Sequence, residues 1–369
     1  MGETYRTFGS CILFKEVHSD DLGRFYRAGL IDGTSLSRTV WLRVLDADGL
    51  PAKEIIAAFE DALLIAETLQ SAQLPSEPFF FEAGDIPALG GDYVAGQPLN
   101  RVLAQARDEA FPMQPDNALL ITEKIALALT AGMAVEVGGQ ALAHGFLHPG
   151  LIVLSNDGEA QVAGFGLGGA FLDALETSGA VAGSLAYLAP EVMASRTPSK
   201  SGDVYSLGAI LFHLLTGTAL PASPNERGAA LEAAMLAWDG EPLPDDIRSI
   251  LTRSLAPSPE HRFDSAAEFK NELDQLIYGG DYSPTTFNLA LFMDRLFRSD
   301  IEADEASLED EHGVDVSAYL EPEPEPEPIA IEPEEPQRDN RILWAAIGGA
   351  VIVIAALGIF WGAGGFGPP

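Results

Sequence analysis

Cysteine is nearly missing from this sequence. Cys11 stands alone among 369 residues, so neither an internal disulfide nor a cysteine-based zinc cluster can form, and the folded part suits a reducing compartment. Basic residues are scarce as well. Lys and Arg number 21 against 55 Asp and Glu, a formal net charge of −34. A surface of that sign repels nucleic-acid phosphates and anionic headgroups, which excludes nucleic-acid binding. The six histidines include no His-Glu-x-x-His spacing and no pair that suggests a metal site, so no metal is expected. The N-terminus, Met1-Gly2-Glu3-Thr4-Tyr5-Arg6, lacks the basic-then-apolar layout of a secretory signal. Arg6 stands where a myristoylation motif needs Ser or Thr.

What is present is unevenly spread. Residues 38–45 are apolar and β-branched enough for a buried strand, and residues 54–74 carry apolar side chains at helical spacing. Short apolar runs between 79 and 94 are punctuated by Gly84, Gly90 and Gly91, and residues 116–137 read as a long helix rich in Ala and Leu. Residues 144–154 and 160–168 form a loop and short strands around the turn Ser155-Asn156-Asp157-Gly158, and helices dominate from 206 to 277. Residues 283–298 form a short amphipathic helix entered through Pro284 and two threonines. Its apolar stripe faces either the back of the preceding domain or a protein partner, and it is the candidate docking element for one.

Beyond that helix the composition changes twice. Residues 300–341 hold 16 acidic and 2 basic residues, and Glu-Pro repeats four times between 321 and 328. Residues 299–341 therefore read as a disordered, extended acidic spacer. Residues 342–361 are 20 positions without a charge, matching the roughly 20 needed to cross a hydrocarbon core of about 30 Å. Trp344 and Trp361 lie near the two ends, as interfacial aromatics do, and a short tail follows at 362–369. Arg338 and Arg341 precede the span and nothing charged follows it, so the positive-inside rule places the N-terminal bulk in the cytoplasm, tethered to the inner membrane by a single pass.

The chemistry, or its absence, lies between these ends. His144-Gly145-Phe146-Leu147-His148-Pro149-Gly150-Leu151-Ile152-Val153-Leu154 is followed by Gly164-Phe165-Gly166, Ala189-Pro190-Glu191, Asp203-Val204-Tyr205-Ser206-Leu207-Gly208 and Arg262, in that order. Over roughly residues 14–277 the sequence resembles the eukaryotic-like Ser/Thr protein kinase family, found in bacteria as membrane-tethered signalling proteins. The resemblance implies an α+β, two-lobed fold: a small β-rich N-lobe over 1–94 and a helical C-lobe over 95–280. His-Gly-x-Leu-His-Pro is also similar to the catalytic loop of the small-molecule phosphotransferase branch of that fold. The later motifs favour the protein-kinase branch.

Phosphoryl transfer in this family needs a carboxylate to orient the substrate hydroxyl, a carboxylate and an amide on magnesium, and a lysine on the α/β-phosphates. On the alignment every one of those positions has changed. Phe146 replaces the catalytic aspartate, His148 the lysine two residues on, Leu151 the metal-binding asparagine and Gly164 the metal-binding aspartate. Arg43 takes the place of the N-lobe lysine, and the helix-C partner falls at Asp61, or at Glu60 or Ala62 beside it. In Leu22-Gly23-Arg24-Phe25-Tyr26-Arg27-Ala28 one glycine is left where a phosphate cradle needs three, so the segment reads as an ordinary hairpin. No cofactor is expected, and the motifs do not support ATP binding.

The residues the resemblance assigns to the framework are intact: His144 and Phe165 stacked in the core, Asp203 on the catalytic-loop backbone, and Glu191 paired with Arg262. The expectation is a catalytically inactive pseudokinase acting as a membrane-tethered binding or scaffold module. The alternatives are an atypical active Ser/Thr kinase, or the cytoplasmic half of a longer TonB-like envelope protein. On this reading truncating His148, at a vacated position, costs about 1 kcal/mol or less, like a surface substitution.

Overall fold

Alternating apolar and polar residues at the N-terminal end build antiparallel strands. In the computed structural model, which describes residues 5–177 and 179–320, these are β1 (Arg6–Phe8), β2 (Cys11–Asp20), β3 (Gly23–Asp32) and β4 (Ser35–Val44). Helices α1 (Ala52–Ala57) and α2 (Phe59–Thr68) follow, then β5 (Phe79–Ala83) and β6 (Ile86–Asp92). The strands form one sheet in the order β1-β2-β3-β4-β6-β5. Its register sets Arg43 opposite Phe25 on one side and Leu89 on the other. The single helix expected over 54–74 is two, parted at Ala58, and the second ends early because the chain turns to extended backbone at Leu69.

The second lobe begins with β7 (Gly96–Pro98), α3 (Leu99–Asp108) and α4 (Pro115–Met133), which carries Pro115 in its first turn, where a missing N–H costs nothing. The hairpin β8 (Glu136–Val137) and β9 (Gln140–Ala141) leads to the loop at 144–151. Strands β10 (Ile152–Ser155) and β11 (Ala160–Val162) then pair beside β7. Helices α5 (Gly168–Thr177), α6 (Pro190–Ser195), α7 (Lys200–Thr216), α8 (Pro224–Glu232), α9 (Asp245–Ser254) and α10 (Ala266–Tyr278) complete the lobe. Helix α7 is buried along most of its length, capped at its start by the Ser199 hydroxyl and ended by Gly217 in the left-handed region.

The helix expected at 283–298 is longer. Helix α11 runs Thr286–His312, and a short 3-10 turn, Val316–Ala318, follows it. The reading of 299–341 as a disordered spacer is therefore corrected over 299–320. Composition made those residues look unable to fold, but their acids meet cations from distant parts of the chain: Asp304 lies 2.6 Å from Lys15, and Glu311 lies 2.6 Å from Arg27. The apolar stripe of the same helix packs on its own domain through Leu289, Phe292, Met293 and Leu296, so it is no free partner-docking face, although Phe287 and Leu291 stay exposed. Among the described residues no helix is long and apolar enough to cross a membrane. The remainder of the spacer, 321–341, the span read at 342–361 and the tail at 362–369 lie outside the described residues.

Candidate functional site

The interlobe cleft collects the residues singled out in the sequence. Its floor is the 144–151 loop, held from below by α7. Both carboxylate oxygens of Asp203 accept backbone N–H groups, from His144 at 2.7 Å and Gly145 at 2.8 Å. Burial pushes the Asp203 carboxyl up to about 7 against the pull of those two donors. The Phe146 N–H donates to His144 Nδ1 at 3.3 Å, so the ring proton sits on Nε2 and is given to the Ala163 carbonyl at 2.9 Å. His144 is thus a neutral, buried ring, pushed down to about 4 by desolvation, and it meets the edge of Phe165 at 4.8 Å.

The vacated positions are filled by side chains of the chain itself. Phe146 is fully buried and stacks on Phe171 of α5 at 5.0 Å, so an apolar pair occupies this part of the cleft. Leu151 is buried as well, and a Cβ added at Gly164 would come within 3.2 Å of it, at a backbone φ of +92° that side chains rarely adopt. Neither position can hold a divalent ion. Among the described residues no group of three or more His, Cys, Asp or Glu is placed to do so.

Arg43 shows most plainly what the cleft has become. It is 1 % exposed and forms an ion pair with Asp20, at the tip of the β2–β3 hairpin, and donates to the Gly150 carbonyl at 3.0 Å across the cleft. Asn100 of α3 donates to the same Asp20 oxygen, and the Leu22 N–H meets the other at 2.9 Å. Burial opposes ionisation of Asp20, but Arg43, His148 and the Leu22 N–H hold its carboxyl below the usual range. Beside it, His148 accepts the Gly150 N–H on Nδ1 at 3.0 Å and turns Nε2 toward Asp21 at 3.6 Å. A Cβ at Gly150 would fall 2.5 Å from the Arg43 guanidinium and 2.6 Å from the Asp20 carboxylate, so a side chain there would push the pair aside. Asp20 thus neutralises buried Arg43, and through that pair the β2–β3 hairpin is fastened to the 144–151 loop.

The expected helix-C partner of Arg43 is not one. Glu60 and Asp61 are exposed, and Ala62 packs against Gly166, with its Cα 2.8 Å from where a Cβ there would lie. Above the cleft, Phe25 and Trp41 stack nearly parallel at 5.8 Å, both buried. Trp41 occupies the small position of the Val-Ala-Ile-Lys pattern. Behind it a cavity of about 490 Å³ opens between α2, the 69–78 loop and Phe165, and its lining holds Glu67 and Glu77 but no basic side chain to meet a phosphate.

Glu191 and Arg262 form a two-pronged pair, 2.6 and 2.8 Å, and Arg262 also donates to the Ser201, Ala256 and Pro257 carbonyls. Sequence reasoning missed Asp20, Asn100 and Phe171, which are distant in sequence from what they touch. It also missed Arg227, a buried cation that donates to the Leu188 and Pro221 carbonyls and to Tyr205 Oη at 2.8–2.9 Å, fixing the segment before α6. No local pattern marks any of them.

Comparison with known proteins places this geometry. The family model described as the protein kinase domain matches residues 80–272. Serine/threonine-protein kinase PknK of Mycobacterium bovis is 35% identical over 171 residues, 44% of this chain and 15% of that protein. Serine/threonine-protein kinase PrkC of Bacillus subtilis is 26% identical over 254 residues, 66% of this chain and 37% of that protein. The match therefore spans much less than the full length of these relatives. The crystal structure of the PknI kinase domain of Mycobacterium tuberculosis superposes with a TM-score of 0.53 at 21% identity, covering 74% of this chain and 99% of that one, which is a likeness of fold.

Proposed function

Since this chain belongs to the protein kinase domain family, we propose that it is a pseudokinase with its catalytic cleft filled by its own side chains: a kinase-fold module that acts by contact and transfers no phosphate. The observation that carries this reading is the buried Asp20–Arg43 pair, which takes the position that nucleotide phosphates need. Phe146, Leu151 and Gly164 support it by leaving neither a base nor a metal ligand. No cofactor is part of this function, and the partner is a protein.

The test is phosphate transfer by the purified full chain, with labelled nucleotide and magnesium, to itself and to a generic protein substrate. No incorporation is expected. Magnesium-dependent transfer that survives removal of contaminating kinases and disappears on Arg43→Ala would overturn the reading in favour of an atypical active kinase.

The same proposal includes attachment to the cytoplasmic membrane through residues 342–361, with the kinase-like domain in the cytoplasm. The uncharged 20-residue run, its flanking tryptophans and the arginines on its N-terminal side support it. Alkaline phosphatase fused after Pro369 should be active and a fluorescent protein at the same place dark. The opposite pattern would invert the topology.

A further inference from the structure

Helix α11 touches both lobes, and it changes direction between them. Phe297 leaves helical geometry, with φ −125° and ψ 21°, and divides the helix into a proximal half, 286–296, and a distal half, 298–312. The proximal half lies on the C-lobe, where Phe292 stacks on Phe111 at 5.4 Å and Leu289 and Met293 are fully buried. The distal half reaches the N-lobe sheet. There Arg27 of β3, 2 % exposed, is enclosed by Asp304 at 2.7 Å, Glu311 at 2.6 Å and the Ser307 hydroxyl at 2.6 Å. Lys15 of β2 adds a second contact to Asp304, at 2.6 Å. At the bend, Arg101 of the C-lobe helix α3 lies 5.1 Å over the Phe297 ring and 3.1 Å from both oxygens of Asp300.

The two halves hold by different physics. The proximal contacts are apolar and continuous with the core. The distal contacts, apart from partly buried Ile301 and Val316 of the turn that follows, are charge pairs whose separation leaves buried Arg27 without its carboxylates, so the distal half either stays docked as a unit or leaves as one. We propose that α11 is a releasable interlobe strap: hinged at Phe297, its distal half holds the N-lobe down on the C-lobe, and its departure lets the lobes part along the Asp20–Arg43–Gly150 seam. This goes beyond the function proposed above and holds whether or not the chain transfers phosphate.

Hydrogen exchange on the full chain tests it, with two variants that release the distal half by different means. Arg27→Met removes the cation from the sheet side. Glu305→Pro breaks the distal half at an exposed position. In both, exchange across 298–312 should rise at least tenfold, and peptides covering 20–25 and 146–151 should exchange faster. Residues 286–296 and α7 should keep their protection. Unchanged exchange at 298–312 in Arg27→Met would overturn the proposal. So would a freed distal half with the seam peptides unmoved, which would make the helix a passive cover. Loss of protection in α7 would also overturn it, because the strap would then be part of the cooperative core and not releasable.

Discussion

Arg262→Ala should lower the stability of the folded domain by about 3–5 kcal/mol, the cost of breaking a buried ion pair from one side. Arg262 has no exposed side-chain surface, and its removal leaves Glu191 and three backbone carbonyls without their donor. Glu191 is 30 % exposed and can recover some solvent, so the carbonyls of Ser201, Ala256 and Pro257 carry much of the loss. Denaturant unfolding measures it directly. His148→Ala belongs in the same experiment. The expectation of about 1 kcal/mol or less for that residue assumed an idle side chain at a vacated site. His148 is instead buried against Phe146 and Tyr187 and accepts the Gly150 N–H, so about 2 kcal/mol is expected from the orphaned donor and the space left behind. Small and equal losses at both positions would mean that neither contact forms.

Asp20→Ala should be as damaging, again about 3–5 kcal/mol, because it strands Arg43 in the cleft. Arg43 is already poorly served, with Nε and Nη1 buried and without partners, so the carboxylate and the Gly150 carbonyl are what keep the charge tolerable. Asp20→Ala combined with Arg43→Met should recover most of the loss, since an apolar side chain of similar length no longer needs a counter-charge. A double-mutant cycle reads the coupling. Additive losses would show that the pair does not bear on stability.

These predictions mark where the sequence was legible. His144, Phe165, Glu191, Asp203 and Arg262 could be placed because each sits in a short ordered motif whose spacing is fixed by the local backbone. The vacated positions Phe146, Leu151 and Gly164 could be read the same way. What filled them could not. Asp20 meets Arg43 across 23 residues and Gly150 meets Arg43 across 107, and nothing in the local pattern of either segment specifies that meeting. Residues 299–320 failed for the same reason. Their acidity predicts disorder only while the chain is considered segment by segment, and Lys15 and Arg27, more than 280 residues away, neutralise it once the sheet has formed. The helix-C partner, aligned by resemblance to Asp61 or to Glu60 or Ala62 beside it, depends on a helix rotation the sequence does not fix, and of the three the structure turns Ala62 inward.

The claim that the cleft is occupied by the chain's own side chains is tested most directly by nucleotide binding to the full chain, followed as thermal stabilisation at millimolar ATP with and without magnesium. The account predicts no saturable shift under either condition, because Arg43 is already paired with Asp20 and no metal ligand remains at Leu151 or Gly164. A saturable, magnesium-dependent stabilisation, about 2.7 kcal/mol at a hundredfold excess over the dissociation constant, would contradict it.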